Sequence, residues 1–189
     1  MELTIILIIV VVVVLYVLYA RLIGRRNRAL EALSGIDVQI KKRANLVPNV
    51  LAIAKRFLEH EKDLLEELTA ARTDFEKSYN TGSAAEVEGH FKAAKGMQTA
   101  LGRLMAVAEN YPDLKSDSVM QEAQRTYQDV EANIAAARRF YNSSVTDLNN
   151  AVQIFPSSLI ASMISIPEMP FYEIDEGVET GTVPAADHL

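Results

Sequence analysis

The chain has 189 residues and a formal net charge of −6, from 19 basic and 25 acidic side chains, and it contains neither cysteine nor tryptophan. Disulfides, thiolate nucleophiles, iron–sulfur clusters and cysteine-bound zinc are thereby excluded, and the acidic balance argues against a general nucleic-acid binder. About 165 residues follow the strongly apolar start, enough for one domain with a core of its own.

From Leu3 to Ile23 the sequence is apolar apart from Thr4, Tyr16, Tyr19 and Arg21. At ~1.5 Å per residue, ~20 such residues cross the ~30 Å hydrocarbon layer of a bilayer, so residues 1–24 are expected to form a single transmembrane anchor. Tyr16 and Tyr19 sit where amphipathic rings favour the interface. Arg21, Arg25, Arg26 and Arg28 follow as a topology signal and as contacts for lipid headgroups, which predicts an N-terminus outside and a cytoplasmic body. A cleaved signal peptide fits less well: Glu2 stands where a basic region belongs, and Tyr19-Ala20-Arg21-Leu22 is a poor cleavage site.

Downstream the periodicity is helical throughout. Ala29 to Ala44 places Leu30, Leu33, Ile36 and Ile40 at steps of three and four. A second stripe follows, with Val47, Val50, Leu51, Ala54, Phe57, Leu58, Leu65, Leu68 and Phe75. A break before it, with Asn45 as cap and Pro48 in the first turn, is preferred to one helix kinked at Pro48. Asn80-Thr81-Gly82 ends this helix, and Ser83-Ala84-Ala85-Glu86 is a capping box for the next. That helix carries Phe91, Ala94, Met97, Leu101, Leu104 and Ala108 and stops at Asn110-Tyr111-Pro112-Asp113. Ser118 and Gln121 match a second capping box, opening the longest helix, whose stripe runs from Val119 through Tyr127, Ile134 and Tyr141 to Val152. Phe155-Pro156 closes it. Long helices with short connections pack as antiparallel neighbours.

After Pro156 the apolar piece Leu159 to Ile166 precedes Pro167 and Pro170. Ser157 to Tyr172 has two readings: it folds back to plug the end of the bundle, the preferred one, or it inserts shallowly into the bilayer. Residues 173–189 are acidic, without Lys or Arg, and are expected to be disordered.

The ordered set Lys41-Lys42-Arg43-Ala44-Asn45-Leu46-Val47-Pro48-Asn49, His60-Glu61, Ala71-Arg72, Tyr111-Pro112-Asp113-Leu114-Lys115, Arg138-Arg139-Phe140-Tyr141-Asn142, Asn149, Phe155-Pro156 and Leu159-Ile160-Ala161 resembles the LemA family over about residues 29 to 172. Val119 and Met120 depart from it, standing where the family usually has Phe and Leu. The resemblance implies an all-α protein, an N-terminal transmembrane helix followed by an antiparallel up-and-down four-helix bundle of long helices over 25–172, in a bacterial envelope. It implies no mechanism, because the family's molecular activity is unsettled; one branch serves in magnetosome formation.

No catalytic, metal or cofactor site emerges. His60-Glu61 begins like a zincin helix but lacks the second histidine, and no Glu-x-x-His pair, phosphate loop or nucleophile elbow is present. An enzyme would have to rely on carboxylates and arginines. Glu61 falls on an apolar stripe, so a buried network with Arg43, Arg72, Arg138 and Asn142 is expected to fix register, against the alternative of solvated flank residues. Asn149 belongs to the same seam as Asn142. The expectation is a non-enzymatic, single-pass scaffold or adaptor of the bacterial inner membrane, partnered by lipid through its anchor and by proteins, with homo-oligomerisation left open; a membrane-shaping factor is the alternative.

Overall fold

The computed structural model describes residues 1–58 and 60–173, so the acidic tail expected at 173–189 lies outside it but for Glu173. Every regular element among these residues is a helix: α1 (Glu2–Phe57), α2 (Lys62–Phe75), α3 (Ala84–Ala108), α4 (Pro112–Ser116), α5 (Ser118–Gln153) and α6 (Ser157–Met163). The apolar start belongs to α1 and is long and apolar enough to cross a membrane.

Helix α1 corrects the expected break at Asn45–Pro48. It runs through both residues and ends at Phe57. Pro48 deletes the N–H that would reach the carbonyl one turn back, but Pro48 itself is exposed while Ala44, Val47, Val50, Leu51 and Ala54 around it are buried. Burial of this face outweighs one missing hydrogen bond. The chain turns instead at Leu58–Glu61, with Leu58 still in the core at 1% exposure.

The caps show which local signals prevail. Ser83 Oγ accepts from the Glu86 N–H at 3.4 Å, as a capping box requires, but the Glu86 carboxylate turns to the Asn80 N–H at 2.8 Å instead of returning to Ser83. At α5 the cap is Asp117, one residue before the expected Ser118. Its Oδ1 accepts from the N–H groups of Val119 and Met120, and its negative charge suits a helix N-terminus. The buried face then begins at Met120, leaving Val119 exposed. The short α4, with Pro112 in its first turn and Leu114 in the core, occupies a stretch expected only to stop α3.

Helix directions follow from contacts between them. Asp37 meets His90 and Arg43 meets the Ala94 carbonyl, so α1 and α3 run parallel. Gln98 meets Glu131 and Phe91 meets Tyr141, so α5 opposes α3. Glu67 pairs with Arg103 and Phe75 with His90, so α2 opposes it too. The four long helices thus alternate in direction, with α1 packed most extensively on α5 and α2 on α3. One end of the bundle, called span-side below, adjoins the apolar segment; there the core continues up α1 to Leu22, and α6 rests against α1 and α5.

Candidate functional site

Midway along the bundle Arg43 is fully buried. Its Nε and Nη2 donate to the two Glu131 carboxylate oxygens at 2.7 and 2.8 Å, and Nη1 lies 3.5 Å from the Ala94 carbonyl. Gln98 adds a longer bond to Glu131 at 3.4 Å. The bidentate fork is the strong geometry for this pair. It also engages both carboxylate oxygens of Glu131. Burial pushes the neighbouring Tyr127 hydroxyl up from its ordinary value, and the Glu131 charge adds to this.

A second polar cluster lies toward the span side. His90 Nε2 is 2.7 Å from Asp37 Oδ1, and its ring stacks on Tyr79 with centroids 3.9 Å apart. Burial alone would raise the Asp37 carboxyl, but the hydrogen bond and charge of His90, helped by Lys41 and Tyr79, hold it below its ordinary value. Tyr79 is driven strongly upward by burial and by the Asp37 charge.

A strap of extended chain, 166–172, closes the third polar region. Asn149 exchanges two hydrogen bonds with the Met169 backbone, both 2.9 Å, and Asn142 does the same with Tyr172 at 2.9 and 3.2 Å. The Tyr141 hydroxyl donates to the Pro170 carbonyl at 2.7 Å. Ile166, Met169 and Tyr172 are buried, and Phe91 meets the Tyr172 ring edge-on. Burial raises Tyr172, while Arg43 and Arg138 oppose the shift.

Of the five residues expected in one network, Arg43 and Asn142 both bond Tyr172, and the Arg138 charge acts on its hydroxyl. Glu61 does not partner Arg43. It precedes α2 as its N-cap, and its contact is a 3.5 Å bond from the Tyr111 hydroxyl. The turn at Leu58–Glu61 takes it off the helical stripe that suggested burial. Arg72 pairs at 2.8 Å with Glu76, the residue just past the end of α2, while its Nε is buried without a partner. Sequence reasoning missed Glu131, Asp37, His90 and Tyr172 as members. Glu131 had a signal: Tyr127 to Glu131 is as good a helical step as Tyr127 to Val130.

Arg21, Arg25 and Arg28 are exposed, and Arg26 is partly buried beside Leu30 and Leu148. At the far end, a groove of about 850 Å³ runs along the turn between α1 and α2, with Lys55, Leu58, His60, Lys62 and Glu66 in its wall. Among the described residues no three His, Asp or Glu side chains converge to hold a metal ion. The buried Arg43 and His90 are matched to Glu131 and Asp37, and Asn142 and Asn149 dock the strap.

A family model described as the LemA family matches residues 32–186. The chain is also similar to the magnetosome protein MamQ of Magnetospirillum gryphiswaldense, with 25% identity over 159 residues covering 74% of this chain and 58% of that protein. Two MamQ proteins of Paramagnetospirillum magneticum are each 22% identical over 160 residues, covering 74% of this chain and 59% of theirs. The chain therefore spans less than two thirds of the length of these relatives.

Proposed function

The chain belongs to the LemA family, and on that premise we propose that it is a non-enzymatic helical scaffold or adaptor, anchored in the inner membrane of a bacterium with its bundle in the cytoplasm. The observation that carries this reading is the continuity of α1, one helix of 56 residues from the apolar segment to the far end of the bundle. At ~1.5 Å per residue it is ~84 Å long. A helix without a joint holds the bundle at a fixed attitude to the bilayer, which suits a part that presents surfaces to partners. The exposed arginines directly after the segment support the orientation.

Two measurements test it. A reporter fused after Leu189 should be active only if it is one that works in the cytoplasm; activity of a periplasm-dependent reporter overturns the orientation. The full chain, extracted from its native membrane in mild detergent, should carry a partner protein in fixed ratio through gel filtration.

The similarity to magnetosome proteins favours a second reading, a factor that organises or shapes membrane. Under it the full chain should purify without a protein partner and deform liposomes into which it is reconstituted.

A further inference from the structure

The span-side end of the bundle does not stop short of the apolar segment but overlaps it. Arg43 on α1 faces Glu131 on α5, and the two helices are antiparallel. With equal rise on both, the end of α5 at Gln153 lies roughly level with Arg21. Leu148, sharing a small cleft with Arg26 and Leu30, fits that register. Leu22 is 1% exposed and Leu18 and Ile23 are partly covered, so the core reaches into the apolar segment itself. The turn at 154–156 and α6 thus sit beside residues expected in the bilayer.

Their outer side is uncharged, bare and mostly apolar, with Ser162 and Ser165 the exposed polar residues. Ile154, Phe155, Leu159 and Met163 are 59, 78, 56 and 78% exposed, with Ile164 beside them. The inner side of the same piece is docked through Ile160, Ala161 and Ile166. From Ile154 to Pro167 there is no charged residue in a chain that has 44 of them. An interfacial helix ordinarily carries a basic rim itself; here the exposed Arg21, Arg25 and Arg28 of α1 lie at, or within about two turns of, the level of the α5 end.

We propose that the 154–156 turn and α6 insert into the lipid interface beside the span, so that the bundle is held to the bilayer at two points. The occupant of this apolar face is lipid, because the face is continuous with the segment that crosses the bilayer. The strap 166–172 stays on the bundle and fixes α6 in place. This rests on reading residues 3–23 as a span, and the experiment separates the two claims.

The absence of cysteine permits single labels. Met163→Cys, Phe155→Cys, Val11→Cys and Arg125→Cys in the full chain are labelled with a polarity-sensitive fluorophore and reconstituted into phosphatidylethanolamine–phosphatidylglycerol vesicles. An apolar face lying ~5–10 Å into the headgroup–acyl boundary should give labels at 155 and 163 a blue shift and roughly twofold quenching by shallow lipid nitroxides. The label at 11 should respond to deep nitroxides, and that at 125 to aqueous iodide alone. Iodide quenching at 155 and 163, with 11 still lipid-quenched, overturns the insertion and leaves the span standing. A blue shift at 155 and 163 without lipid quenching assigns the face to a second copy and also overturns it. Failure at 11 removes the span, and the proposal with it.

Discussion

Arg43 and Glu131 are 88 residues apart in sequence and share two hydrogen bonds, 2.7 and 2.8 Å long, with Arg43 completely removed from solvent. The pair ties the first long helix to the last at one register. Glu131→Ala strands a buried guanidinium and should cost ~3 kcal/mol in chemical unfolding of the chain in micelles. The double variant Arg43→Met with Glu131→Leu should recover most of that loss, because no charge is left to desolvate. Equal losses in the single and double variants would show that packing, not charge pairing, holds this site. Glu61→Ala, by contrast, should shift stability by no more than ~0.5 kcal/mol.

Asp37 predicts an acid-dependent loss of stability. Its folded-state pKa lies below the ordinary 3.8, so the stability it contributes is fully present above that value and is lost as pH falls through the folded one. The stability gap between the parent and Asp37→Asn should narrow progressively as pH falls from about 5 through the folded value. Unfolding curves at stepped pH measure this. A gap that stays constant on further acidification contradicts the assignment.

The asparagine contacts predict a localised release. Asn149→Ala removes the partners of the buried N–H and carbonyl of Met169 and should cost ~2 kcal/mol. The same change should free the strap, so that chymotrypsin cleaves at Phe171 far faster than in the parent. Asn142→Ala, at a less buried position, should act in the same direction with smaller effect. Unchanged cleavage in both variants would mean that Ile166, Met169 and Tyr172 hold the strap without them.

Pro48 is exposed in the interior of α1. Pro48→Ala restores one backbone donor without loss of packing and should raise stability, by up to ~3 kcal/mol on helix propensity. A fall in stability would mean that the bundle is fitted to a bend at this point.

These residues also mark what the sequence made legible. The apolar stripes of α3 and α5 placed Phe91, Met97, Leu104, Ile134, Tyr141 and Leu148 in the core, where they are, because helical spacing depends only on the local backbone. The turn at Leu58–Glu61 carries neither glycine nor proline, so no local residue announced it, while Pro48 announced a break that tertiary burial overrode. The polar clusters were harder. Arg43 was identified as a candidate for burial, but its partner lies on a helix whose register with α1 no local pattern encodes. The strap has no periodicity, and its course is set by tertiary contacts: hydrogen bonds from Asn142, Asn149 and Tyr141, and the burial of Ile166, Met169 and Tyr172.

The dominance of the α1–α5 contact also sets an order of events during synthesis. Helix α1 emerges first, and its core face, with Ala29, Leu33, Ile36, Ile40 and Val47, has no lasting cover until α5 leaves the ribosome about a hundred residues later. At 5–20 residues per second that interval is ~5–20 s. The α2–α3 hairpin can close meanwhile, since its contacts are near in sequence. The nascent chain therefore spends those seconds as a helix with a bare apolar flank, and truncation before α5 leaves that flank open for good.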